Sequence, residues 1–151
     1  MNANLLRRGM NMWPPFWGAG IKVKEISPDY RRVVVRLKLG LTNRNAVGVH
    51  FGGSLFSMTD PFFMIMFHEN LGKSYVVWDQ AAKIEFIKPG TGTVKAVFEI
   101  TQEQIDEIVA AADSGDKVLR DFVVEVKDVN GDLVCRVTKT IYVRKKRPKN
   151  D

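Results

Sequence analysis

From Gly52 to Leu71 the chain reads GGSLFSMTDPFFMIMFHENL, a stretch whose large apolar side chains fall on nearly every side of a helical wheel. A helix apolar all round must be buried all round. The rest of the chain therefore has to supply its wrapping. The most hydrophobic window, Ser54 to Phe67, contains Asp60 and Pro61 and falls short of the about 20 apolar residues that span a bilayer. Gly72 stands where a helix stop is expected. Pro61 lacks a backbone N–H and clashes with the carbonyl of Ser57. It predicts a kink, or a helix that restarts with Asp60 as cap and Pro61 first.

The wrapping is legible as strands. Ile21 to Ile26 and Val33 to Leu41 alternate, with Ile21, Val23, Val33, Val35, Leu37 and Leu39 on one face and Lys22, Lys24, Arg36 and Lys38 on the other. Ser27, Pro28 and Asp29 supply the turn between them. Tyr75 to Trp78, Ala82 to Lys88 and Val94 to Ile100 read as three more strands, the last two joined by Pro89-Gly90-Thr91-Gly92. Thr101 and Gln104 are spaced as a capping box for a short helix with Ile105, Ile108, Val109 and Ala112 on one face, ended by Ser114 and Gly115. Val118 to Lys127 and Leu133 to Arg144 form a hairpin about Asn130-Gly131. Before all of these, Asn2 to Trp17 is amphipathic, a short helix stopped by Pro14 and Pro15.

With 151 residues, 45% of them hydrophobic, the chain fits one domain over 1–151, with an aromatic N-terminal segment (1–18) and a basic tail (145–151). Cys135 is the sole cysteine and cannot form an internal disulfide, which suggests a reducing, cytoplasmic setting. The net charge of +6 suits an anionic partner such as a nucleotide or coenzyme A. Much of it lies in Arg144, Lys145, Lys146, Arg147 and Lys149, where a solvated tail explains it as well. Aromatic residues interleave with apolar strands rather than with basic residues, which argues against a nucleic-acid stacking platform. The two histidines and the cysteine lack ligand spacing, so no metal site is expected. No nucleophile elbow or phosphate-binding loop occurs.

The segment Asn45-Ala46-Val47-Gly48-Val49-His50-Phe51-Gly52-Gly53-Ser54 and, on the helix, Asp60 resemble the loop and helix start of hot-dog acyl-CoA thioesterases of the phenylacetate-pathway type. Ile84 to Gly90 is similar to the strand and proline turn of that superfamily. Trp13-Pro14-Pro15 with His50-Phe51-Gly52-Gly53 resembles a thioesterase-like branch known as a domain of unknown function. The resemblance runs from about Trp13 to Val143. It implies an α+β hot-dog fold, a long central helix wrapped by an antiparallel sheet. The fold hosts several activities, so the chemistry must be argued from the site.

That resemblance assigns Asp60 as the catalytic base or nucleophile, although Pro61 follows it. Independently, an acid inside an apolar helix needs a partner or a raised pKa; a helix cap ahead of Pro61 accounts for it equally well. The backbone N–H groups of Gly52 and Gly53 could receive a thioester oxygen, or the pair could simply serve loop geometry. Asn45 could position water or meet the Asp60 of a neighbouring subunit, since sites of this family lie between protomers; it also suits a turn. His50, one residue before the family's histidine position, could touch substrate or be a plain loop residue. Phe62, Phe63 and Met66, with Trp13, Phe16 and Trp17, could line an acyl pocket, although core packing explains most of them. Arg31, Arg32 and Arg44 could hold coenzyme A phosphates or form a solvated face. The resemblance implies no separate cofactor, coenzyme A entering as part of the substrate, and a homodimer or homotetramer. A non-catalytic acyl-CoA or fatty-acid binding protein is the rival reading.

Overall fold

Alternating hydrophobicity gives this chain its sheet, and the computed structural model, which describes residues 1–147, closes that sheet around the apolar helix. The strands are β1 (Ile21–Ile26), β2 (Arg32–Lys38), β3 (Tyr75–Phe86), β4 (Thr93–Glu99), β5 (Val118–Asp128) and β6 (Leu133–Lys145). They form one sheet in the order β1-β2-β4-β5-β6-β3, antiparallel throughout. The helices are α1 (Ala3–Met12), α2 (Pro14–Ala19), α3 (Gly52–Ser57), α4 (Phe62–Leu71) and α5 (Gln102–Ala112). Lys149 of the basic tail lies outside the described residues.

The central segment is wrapped as its composition demands. Phe62, Phe63, Met66 and Phe67 of α4 are buried against Val35, Leu37, Ala96, Phe98, Val124 and Ile141 of the sheet. Phe62 touches Phe98 and, on its other side, Phe16 of α2; Phe63 and Phe67 meet Phe122 of β5. Pro61 divides the segment. The helix stops after Ser57 and restarts at Phe62, with a cis bond between Asp60 and Pro61. Pro61 rather than Asp60 occupies the cap position, and no side chain caps α4 there.

Three other elements differ from the sequence reading. Pro14 and Pro15 do not merely stop α1 but open α2, since a helix's first turn has no use for their missing N–H groups. Asn2 begins α1 by accepting the amides of Asn4 and Leu5. The expected strands Tyr75–Trp78 and Ala82–Lys88 are one strand, β3, with a bulge between Asp79 and Ala81. The Pro89–Gly92 turn joins strands that do not pair, because β3 lies at the sheet edge beside β6 while β4 sits between β2 and β5. The capping box of Thr101 and Gln104 and the turn at Gly131 form as expected.

The two sheet edges are treated differently. At β1, the Asn11 amide of α1 donates to the Val23 carbonyl (2.9 Å) and accepts the Val23 N–H (2.8 Å), so a helix side chain covers the strand. At β3 no strand among the described residues lies beyond.

Candidate active site

The break at Pro61 decides where Asp60 goes. A residue in mid-helix at this depth would face the core, but the chain between α3 and α4 turns outward and leaves the Asp60 side chain 54% exposed. It stands at the mouth of a cleft of about 540 Å³ lined by Gly53, Phe56, Ser57, Asp60, Asp79, Gln80, Ala81, Ala82 and Lys139. The floor is the β3–β6 pair and one wall is α3.

Lys139 is the unexpected member. It sits on β6 between Val137 and Ile141 on the inward face, opposite Ala82 of β3 and Phe122 of β5, and is only 3% exposed. An ammonium buried so fully needs anionic partners. It has two: Nζ donates to Asp60 Oδ1 at 2.5 Å and lies 3.2 Å from Asp79 Oδ2. The bulge at Gln80 places Asp79 and Ala82 on the same inward face, which an uninterrupted strand would not do. Burial pushes the Asp79 carboxyl above its usual range, against the pull of the Lys139 charge, and the Asp60 carboxylate adds to the rise. Asp79 Oδ1 is buried without a hydrogen-bond partner among the described residues.

Neither Lys139 nor Asp79 was singled out in the sequence. The signal was present: a lysine stands at an inward position of an alternating strand, flanked by Val137 and Ile141. For Asp79 the same alternation runs Tyr75, Val77, Asp79, and the bulge then interrupts it.

The remaining sequence candidates divide between two clefts on either side of α3. Gly53 lines the Asp60 cleft, whereas Asn45, His50 and Gly52 line a second one, about 380 Å³, with Leu55, Phe86, Pro89 and Gly90. Within one chain Asn45 and Asp60 therefore do not share a cleft. Asn45 Oδ1 accepts the amides of Val47 and Val49, tying its own loop. His50 is buried, and its Nε2 lies 2.9 Å from the Gly92 carbonyl, which makes that nitrogen the donor. Burial holds the imidazole below its ordinary pKa, and Nδ1 has no partner among the described residues. A side chain at position 53 would overlap the Phe51 ring, and one at 52 would come within 2.9 Å of Phe86. A side chain at either position would therefore require an exposed phenylalanine ring to move aside.

Phe62, Phe63 and Met66 are buried in the core and line neither cleft; the apolar wall beside Asp60 comes from Phe56, Ala81 and Ala82. Arg31 bonds Gln102, and Arg32 pairs with Glu25 and Glu99, away from the cleft. No helix among the described residues is long and apolar enough to cross a membrane.

A central helical segment wrapped by a six-stranded antiparallel sheet defines a hot-dog domain. The chain belongs to the family described as domain of unknown function DUF4442, whose pattern matches residues 2–143. Among solved structures it is similar to PA5026 of Pseudomonas aeruginosa, a protein of unknown function described as a probable thioesterase. The identity is 16%, the TM-score 0.82, and 95% of each chain is covered. It is also similar to the thioesterase HI1161 of Haemophilus influenzae, at 11% identity and TM-score 0.69, covering 100% of this chain and 96% of that one. Comparison with curated proteins finds no match.

Proposed function

We propose that this protein hydrolyses acyl thioesters of the acyl-CoA type, with Asp60 as base or nucleophile. The observation that carries the reading is Asp60 itself, the one acid of the central helical segment's break, turned into an open cleft with a buried ammonium at its back. As base, Asp60 takes a proton from water whose oxygen attacks the thioester carbon. As nucleophile, it forms an acyl anhydride that water then opens. Either way a C–O bond forms, the C–S bond breaks, and the departing thiolate takes up a proton, from Asp60 on the first route and from water on the second. The Gly53 amide, on the cleft wall, is the candidate donor to the developing oxyanion. Thioesterases and thioesterase-like proteins among the structural relatives support the substrate class.

The working form we propose is a homodimer, the smaller of the expected assemblies. A twelve-residue edge strand with open hydrogen-bonding groups is a template for pairing. Antiparallel pairing of β3 with its copy would set the Phe86 end of one chain beside the Tyr75 end of the other. Asn45, His50 and Gly52 of one chain would then approach the partner's Asp60, joining the two clefts.

The test is a panel of acyl-CoA thioesters of varied chain length, with thiol release measured at neutral pH. Turnover above buffer is expected for at least one member. No turnover across the panel refutes the enzyme, and thermal stabilisation by an acyl-CoA without hydrolysis would select the binding protein instead.

A further inference from the structure

We propose that Lys139 and Asp79 are positioning residues that clamp the Asp60 carboxylate, charged and oriented, at the cleft mouth. The inference rests on Asp60 being the reacting acid. It adds two residues on strands that no motif of the loop and helix contains.

The geometry is graded by depth. Lys139 lies at the bottom, 3% exposed; Asp79 is 21% exposed beside it; Asp60 stands at the rim. A single ammonium serves two carboxylates, so the trio carries one uncompensated negative charge. Asp60 binds the ammonium more closely, at 2.5 Å against 3.2 Å for Asp79. At the neighbouring positions β5 presents Phe122, and α4 covers that ring with Phe63 and Phe67. The charges acting on Asp79 are those of Lys139 and Asp60. When Asp79 takes up a proton, Lys139 is released wholly to Asp60; when Asp79 ionises, the ammonium is shared. Asp79 thereby governs how firmly Lys139 holds the Asp60 carboxylate in place, without touching substrate.

This arrangement makes the two neutralising substitutions act in opposite directions. Lys139→Met leaves two carboxylates side by side with no ammonium, so Asp60 should bind its proton about tenfold more tightly or better. Asp79→Asn leaves the ammonium to Asp60 alone, so Asp60 should bind its proton more weakly than in the wild type. The measurement is the carboxyl titration of Asp60 in the full-length protein, uniformly labelled with carbon-13 aspartate and followed by NMR. It is accompanied by the acid limb of the pH–rate profile for thioester hydrolysis. Lys139→Arg, which keeps the charge, should restore the wild-type midpoint if Lys139→Met raises it. Should Lys139→Met fail to fold, Asp79→Asn and Lys139→Arg still give the downward shift and the unchanged midpoint. An Asp60 midpoint unmoved by either neutralising substitution, or moved the same way by both, overturns the clamp. Opposite shifts in a protein that hydrolyses no thioester would keep the clamp and refute the hydrolase.

Discussion

A buried side chain with one polar contact behaves differently from an exposed one of the same type, and His50 is the case in point. Its folded pKa is depressed by burial. The unfolded chain therefore takes up a proton near the ordinary histidine value while the folded chain does not. The stability this gives is complete above about pH 6.5 and is lost as pH falls through the lower folded value. The melting temperature of the wild type should thus fall between pH 7 and pH 5 relative to His50→Gln, whose side chain can still donate to Gly92 but does not titrate. Parallel pH dependences for the two proteins would show that His50 is not held neutral. Asp79 works in the opposite sense: its raised folded pKa makes its contribution largest at low pH and removes it as pH rises. Only a comparison between variants separates the two.

At the scale of elements, the segment 52–71 shows how one proline divides an apolar run into two helices. An uninterrupted helix would carry Asp60 within it; with the break before α4, Met58 and Thr59 of the junction stay buried and Asp60 reaches the surface. The core around α4 joins three elements through Phe62, which packs on Phe16 and Phe98. Phe62→Ala should cost about 3–5 kcal/mol, measured by chemical denaturation, and a loss below about 1 kcal/mol would mean that the site collapses freely. Periodicity revealed the buried helix, β1, β2, β5 and β6, because a side-chain period of two or an all-apolar helix is written directly in the residues. It did not reveal that β3 is continuous, since an inserted residue at Gln80 reverses the alternation halfway. For the same reason Asp79 was hidden, and Lys139 was lost in a strand whose other inward positions are plainly apolar. Asp60 was legible because an acid in an apolar helix is conspicuous.

For the whole molecule, the dimer proposed above rests on the edge position of β3 and the separation of Asn45 from Asp60. Sedimentation of the wild type should give a dimer, and Ile84→Pro, which removes a donor on the side of β3 turned away from β6, should give a monomer with hydrolysis at least about tenfold lower. A monomeric wild type with full activity would contradict the shared site. No sequence pattern could show which strand ends up at the edge, because edge position is a property of pairing between segments far apart in the chain. The pairing of β3 with β6 joins residues as far apart in the chain as Tyr75 and Lys145.

The most direct measurement is the steady-state rate of acyl-CoA hydrolysis by wild type and Asp60→Asn, prepared alike and shown to be equally folded. Cys135 is buried and its thiol is pushed up to about 12, so it should not consume the reagent that reports the released coenzyme A. A loss of kcat of at least about a hundredfold in Asp60→Asn is the predicted result. An undiminished kcat would contradict the assignment of Asp60 as the reacting acid.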